Sequence, residues 1–195
     1  MDRCMRTTGR RRHPCGSRQR ACRRASVAAA VALVALPISA EPASATYYSG
    51  GVGSPRFTVQ ITGVNSTWAS YLRFGVGAWN ATRDTGVQIT TVSSSTRTMT
   101  AGSYDQTWLG LYTPGGTRAN RSFTIQANAR VVGLTTGGTY RQWARFVATH
   151  ELGHALSMAD NPPTSSASVM KYVPPTSSPA TTPRAYDVAE LIRIY

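Results

Sequence analysis

The most definite chemistry in this 195-residue chain lies in His150-Glu151-Leu152-Gly153-His154, with Asp160 six residues further on. Two histidines four positions apart on a helix project from one face about one turn apart, so both imidazoles can grip a single cation. The glutamate beside the first histidine is turned towards a water held by that cation, where it can accept a proton rather than bind the metal. With three His and three Glu in the chain, such a spacing arises by chance at a rate of roughly one in a thousand. A zinc ion that performs hydrolysis takes three protein ligands and leaves one position for water. Asp160 is the third ligand this reading favours, because a chain that turns just past His154 brings its carboxylate back towards the imidazoles. Asp187 and Glu190 in the last segment are alternatives by ligand type. The plainer roles are two solvated imidazoles on a helix and, for Asp160, a turn ahead of Pro162-Pro163.

The elements that must position these side chains follow from periodicity and punctuation. Gly137-Gly138 precedes Thr139, a plausible N-cap for a long helix to about Ser157. On that helix Trp143, Phe146, Val147, His150 and His154 share one stripe, so the imidazoles continue an apolar face inward. Asn161-Pro162-Pro163 stops the helix. Arg56 to Ile61 alternates polar and apolar residues and reads as a strand. A helix carrying Trp68, Tyr71, Leu72, Val76 and Trp79 starts near Ser66, which could cap it. Val87 to Val92, Thr107 to Tyr112 and Ser122 to Asn128 read as further strands, the last two separated by Pro114-Gly115-Gly116. A last helix begins near Thr182-Pro183 and turns Val188, Leu191, Ile192 and Tyr195 inward. Tyr47 to Pro55, rich in Gly and Ser, reads as a loose arm. No repeat or nucleotide fingerprint is present, and residues 46–195 read as one domain.

Residues 1–45 read as an export signal. Nine Arg between Arg3 and Arg24 precede an apolar run from Val27 to Ala40, and Ala43-Ser44-Ala45 offers small residues for a signal peptidase. The run is interrupted by Pro37 and falls short of the roughly 20 residues a membrane span needs. The expectation is a secreted, extracellular domain with no membrane contact after processing. Its charge is 12 basic minus 6 acidic residues, +6, against +13 for the whole chain. The remaining Arg are dispersed and not interleaved with aromatics, which argues against a nucleic-acid partner. Cys4, Cys15 and Cys22 all leave with the signal. The remaining domain has neither a disulfide nor a cysteine ligand, and about 150 residues suffice for one core. A monomer is expected.

The stretch from His150 to Tyr172 resembles the metzincin zinc endopeptidases, whose pattern is His-Glu-x-x-His-x-x-Gly-x-x-His/Asp followed by a methionine turn. More loosely, the order strand, helix, strands, active-site helix, C-terminal helix is similar over residues 56–195. An Asp in the third-ligand position and the small size look most like the snapalysin branch. Ser168-Val169-Met170-Lys171-Tyr172 looks more like the turn of astacins and serralysins, and matrixin-like bacterial proteases are a third neighbour.

The resemblance implies a small α+β domain with a twisted, mostly antiparallel or mixed sheet, a long active-site helix, the methionine turn and a C-terminal helix. It implies one catalytic zinc on His150, His154 and Asp160, with Glu151 as general base. Met170 would form a packed floor beneath the metal, and Tyr172 would lie near it and hydrogen-bond the oxyanion. The substrate would be a protein or peptide paired along an edge strand, for which Ser122 to Asn128 is the expected segment, its other role being an interior strand. Val173-Pro174-Pro175 would shape the pocket past the scissile bond. Calcium, for which there is no clustered run of carboxylates, stays an unsupported second cofactor. One departure stands out: Ser157 replaces the family's Gly, and a positive φ there costs a non-glycine residue about 1–2 kcal/mol. Two rivals follow from the same residues: a secreted binding module whose zinc only stabilises the fold, and a metallopeptidase of another clan with Glu190 as third ligand.

Overall fold

The computed structural model describes residues 46–174 and 176–195. The proposed export signal and its three cysteines lie outside the described residues, as does Pro175.

The architecture is α+β. Five strands, β1 (Arg56–Ile61), β2 (Gln88–Thr91), β3 (Arg97–Gly102), β4 (Gly110–Gly115) and β5 (Ser122–Asn128), form one sheet in the order β2-β1-β3-β5-β4. The sheet is mixed: β1 pairs in parallel with β2 and β3, β3 pairs in parallel with β5, and β4 runs antiparallel to β5. The helices are α1 (Ser66–Asn80), α2 (Ala129–Thr136), α3 (Tyr140–Ala155) and α4 (Ala185–Ile194), with a 3₁₀ turn at Gly137–Thr139 before α3. Among the described residues no helix is long and apolar enough to cross a membrane.

β1 shows how pattern becomes packing. Phe57 and Val59 are buried while Arg56 and Thr58 face out, the period of two that a half-covered sheet demands. In α1 the buried set Trp68, Tyr71, Leu72, Val76 and Trp79 recurs at helical spacing and faces α3. Asn65, not Ser66, caps this helix, its side chain accepting from the Trp68 amide at 2.9 Å. Trp79 ties α1 to α3 by donating its indole N–H to the Thr149 carbonyl at 2.8 Å. In α3 the stripe Trp143, Phe146 and Val147 is buried as expected.

Several boundaries differ from the sequence reading. Strand β4 runs Gly110–Gly115, so Thr107 to Leu109 belong to the preceding loop and Pro114 to the strand. β5 has neighbours on both sides and is an interior strand, so the edge beside the histidines is β4 instead. α4 is capped at Arg184, whose amide donates to Asp187 Oδ2 at 2.7 Å. On it Leu191 is buried, while Ile192 and Tyr195 are exposed. Tyr195 instead donates its hydroxyl to the Val52 carbonyl at 2.9 Å.

The arm at 47–55 is not loose. Tyr47 bridges Met158, and the amides of Tyr48 and Val52 donate to the carbonyls of Ser157 and Ala155, both at 2.8 Å. Those bonds take up carbonyls freed at the C-terminus of α3, which is why a Gly- and Ser-rich segment is held there.

Candidate metal centre

Helix α3 carries both histidines and ends at Ala155, about two residues before the expected stop at Ser157. Ser157 then adopts φ 67°, the left-handed turn that reverses the chain. The reversal is held from several sides. Ser157 N–H donates to the His154 carbonyl at 3.0 Å and Met158 N–H to the Gly153 carbonyl at 2.9 Å. Arg118, from the turn joining β4 to β5, donates from Nη1 to Ser157 Oγ at 2.5 Å, a bond a glycine could not accept. The serine thus keeps the glycine's backbone shape and adds a charged tether.

The reversal brings Asp160 back over the helix. Its Oδ1 lies 2.9 Å from His150 Nε2 and 3.5 Å from His154 Nε2, and the three ligand atoms fall within 4.8 Å of one another. The other ring nitrogens are spoken for: His150 Nδ1 faces the Val169 carbonyl at 3.0 Å and His154 Nδ1 the Met158 carbonyl at 2.9 Å. A carbonyl only accepts, so each Nδ1 carries a proton, which leaves Nε2 to face the carboxylate oxygen, as an N–H donor when the imidazole is charged and as a lone pair for a cation when it is neutral. Three acceptors around one point repel unless positive charge lies between them. Either protons on the imidazoles or a cation supplies it, and two imidazoles oriented by backbone carbonyls plus one carboxylate make a donor set that suits zinc.

The electrostatics agree. Burial pushes the His150 imidazole towards the neutral form, but Asp160 first and then Glu151 outweigh that and raise its pKa. Burial works to raise the Asp160 carboxyl, yet bonds from both imidazoles hold it well below the usual carboxylate range. Glu151 is buried, which raises its pKa against the pull of both histidines. The Tyr112 backbone of β4 works in the opposite direction to burial, favouring the carboxylate. Gly110 on the same strand lies so close that a methyl there would strike Glu151 Oε1 and Val147. Glu151 therefore sits between the two histidines' helix and the edge strand.

Beneath the histidines, Met170 is fully buried and its sulfur fills the space above Gly153, where any side chain would collide. It packs as a floor and donates no ligand. The turn around it hangs on Asp187, which is fully buried: Ser168 Oγ donates to Oδ1 at 2.5 Å and the Val169 amide to Oδ2 at 2.9 Å. Asp187 is thus no alternative ligand; it fixes the segment whose Val169 carbonyl orients His150. Glu190 is likewise committed elsewhere, to Arg193 at 2.6 Å and to the Thr46 hydroxyl. The sequence reading missed these two roles, although Asp187 falls three residues after Arg184, the spacing of a helix-capping acid.

An open cleft of about 610 Å³ is lined by His150, Glu151, His154 and Asp160, together with Leu111 and Tyr112 of β4 and with Lys171, Tyr172 and Val173. Tyr172 is 83% exposed at its rim, hydrogen-bonded to none of the metal-centre residues. Val173 reaches the cleft as expected. No other group of three or more His, Cys, Asp or Glu among the described residues could hold a metal ion.

No protein-family model matches the chain, and no curated protein matches it. Among solved structures it is similar to the GM1-bound form of the ECX AB5 holotoxin, at 13% identity over 77% of this chain and 84% of that one, with a TM-score of 0.49. It is also similar to myroilysin, at 12% identity over 78% and 82%, with a TM-score of 0.47. Likenesses of this size carry no functional conclusion.

Proposed function

We propose that the chain is a secreted zinc-dependent endopeptidase of the metzincin kind, acting on protein or peptide substrates. One observation carries the reading: both Nε2 atoms and Asp160 Oδ1 lie within 4.8 Å of one another, inside an open cleft, with a buried glutamate beside them. His150, His154 and Asp160 would hold the ion. When bound, zinc supplies Lewis acidity towards a carbonyl and lowers the pKa of a water towards about 7.

The chain's own residues do the rest. Glu151, kept from solvent and raised in pKa, accepts the proton of the attacking water and passes it to the leaving amine. The raised pKa suits both halves of that transfer. Substrate backbone is expected to lie along β4, since that strand is the sheet's edge next to the histidines. Tyr172, free at the rim, is assigned the role of an oxyanion donor that swings in with substrate. Met170 keeps the floor rigid and dry.

A secreted module with a purely structural zinc is the rival reading, but a structural site closes all four positions with protein ligands, and this cluster has three in an open cleft. Cleavage of unfolded casein with and without a zinc chelator tests the proposal. Hydrolysis that stops with the chelator and returns on adding zinc is the expected result; zinc-loaded protein that leaves casein intact would refute it.

A further inference from the structure

We propose that Lys171 makes the cleft selective for substrates that carry a carboxylate close to the scissile bond, an inference that rests on the peptidase reading above. Lys171 is the chain's single lysine. Among the described residues no arginine lines the cleft, so apart from the imidazoles Lys171 is the only basic side chain described there. Of the two carboxylates that share the cleft, Asp160 faces both imidazoles and Glu151 is buried against Gly110 of β4, and neither pairs with Lys171. Among the described residues the Lys171 ammonium has no ion pair and no side-chain hydrogen bond.

Its anchorage is firm. The Lys171 amide closes a turn onto the Ser168 carbonyl at 3.4 Å, and the Asn161 amide, next to Asp160, donates to the Met170 carbonyl at 2.8 Å. Asp187 holds the same turn from beneath. Lys171, half-buried as a residue, thus lines from a fixed backbone a cleft that also contains Phe146, Val147 and Val173. Apolar walls weaken solvent screening and strengthen its pull on an anion. A lysine is a compact point charge on a flexible stem, suited to a carboxylate without demanding one fixed approach. That carboxylate has two sources: an Asp or Glu side chain beside the cleaved bond, or the free C-terminus of a short peptide.

The test is binding of uncleaved peptides to zinc-loaded Glu151→Gln protein by calorimetry. The probes are a blocked octapeptide with a single Glu moved through its positions, the matching Gln peptides, and a Gln peptide with a free C-terminal acid. Tighter binding of a carboxylate peptide by about five-fold, as expected for a partly buried ion pair, supports the inference. Preference for internal Glu identifies the side chain as the source, and preference for the free acid identifies the terminus. Adding Lys171→Met should bring the ratio close to one, and Lys171→Glu should invert it. Equal affinity for all probes, or a preference that survives Lys171→Met, would overturn the inference. The peptidase reading fails separately, if the unsubstituted protein never cleaves the probes while Lys171-dependent binding persists. Absence of any peptide binding overturns the inference, while the peptidase reading stands or falls on casein hydrolysis by the unsubstituted protein.

Discussion

Ser157 shows how one residue can hold a candidate metal centre together without being one of its ligands. Its left-handed backbone costs about 1–2 kcal/mol, and a charged hydrogen bond such as that from Arg118 contributes about 1.5–3 kcal/mol in return. Arg118→Ala should therefore lower stability by about 1–2 kcal/mol, because it strands a strained serine. Placing Ser157→Gly in that background should restore about 1 kcal/mol by relieving the strain. Denaturant melts of the four proteins in this cycle check both numbers; a double variant no more stable than Arg118→Ala would sink the tether. The residue-level reading of the motif was legible because His-Glu-x-x-His carries its own spacing, and Asp160 because a turn was required after His154. What the linear order hid was the support: nothing before folding places Arg118 beside Ser157, thirty-nine residues later in the chain.

At the scale of elements, β1, α1, β5, α3 and α4 were readable from apolar periodicity, and β2 within a residue at each end. Two were not. β3 (RTMTAG) buries only Met99 fully, so it lacks the alternation that marks a strand, and α2 (ARVVGLTT) mixes Gly with β-branched residues that read as non-helical. Without β3, β5 has no second neighbour, which is why its interior place was undecided and the edge fell to β4 only in three dimensions. The turn carrying Met170 depends on α4 through Asp187. Asp187→Ala should leave Ser168 Oγ and the Val169 amide without their buried acceptor and cost about 2–3 kcal/mol. Because Val169 orients His150, zinc affinity should fall with it, by about tenfold or more. Competition with a colorimetric chelator measures this, and unchanged zinc affinity would separate the turn from the metal site.

For the whole molecule, three segments far apart in sequence converge on the end of α3: the arm at 47–55, the turn at 168–171 and the C-terminal residues. The arm's bonds to Ala155 and Ser157 bind the start of the described chain to the exit of α3, and Thr46 to Glu190 binds it to α4. A metal that joins α3 to Asp160 should stabilise that whole assembly. With zinc at a thousand times its dissociation constant the gain is ~4 kcal/mol, or about 10 °C in melting temperature for a domain of this size. Removal of zinc by a chelator should lower the melting temperature by that order, and His154→Ala should abolish the difference. A chelator-insensitive melt in the unsubstituted protein would contradict it.

The central claim is that one ion on His150, His154 and Asp160 works with Glu151 as its proton acceptor. Zinc content and casein hydrolysis of Glu151→Gln, measured side by side with the unsubstituted protein, test it most directly. One zinc per chain in both, with hydrolysis reduced by about 10²–10⁴ in the variant, is the outcome expected of a lost general base. Full hydrolysis by Glu151→Gln, or an unsubstituted protein that takes up no zinc, would contradict it.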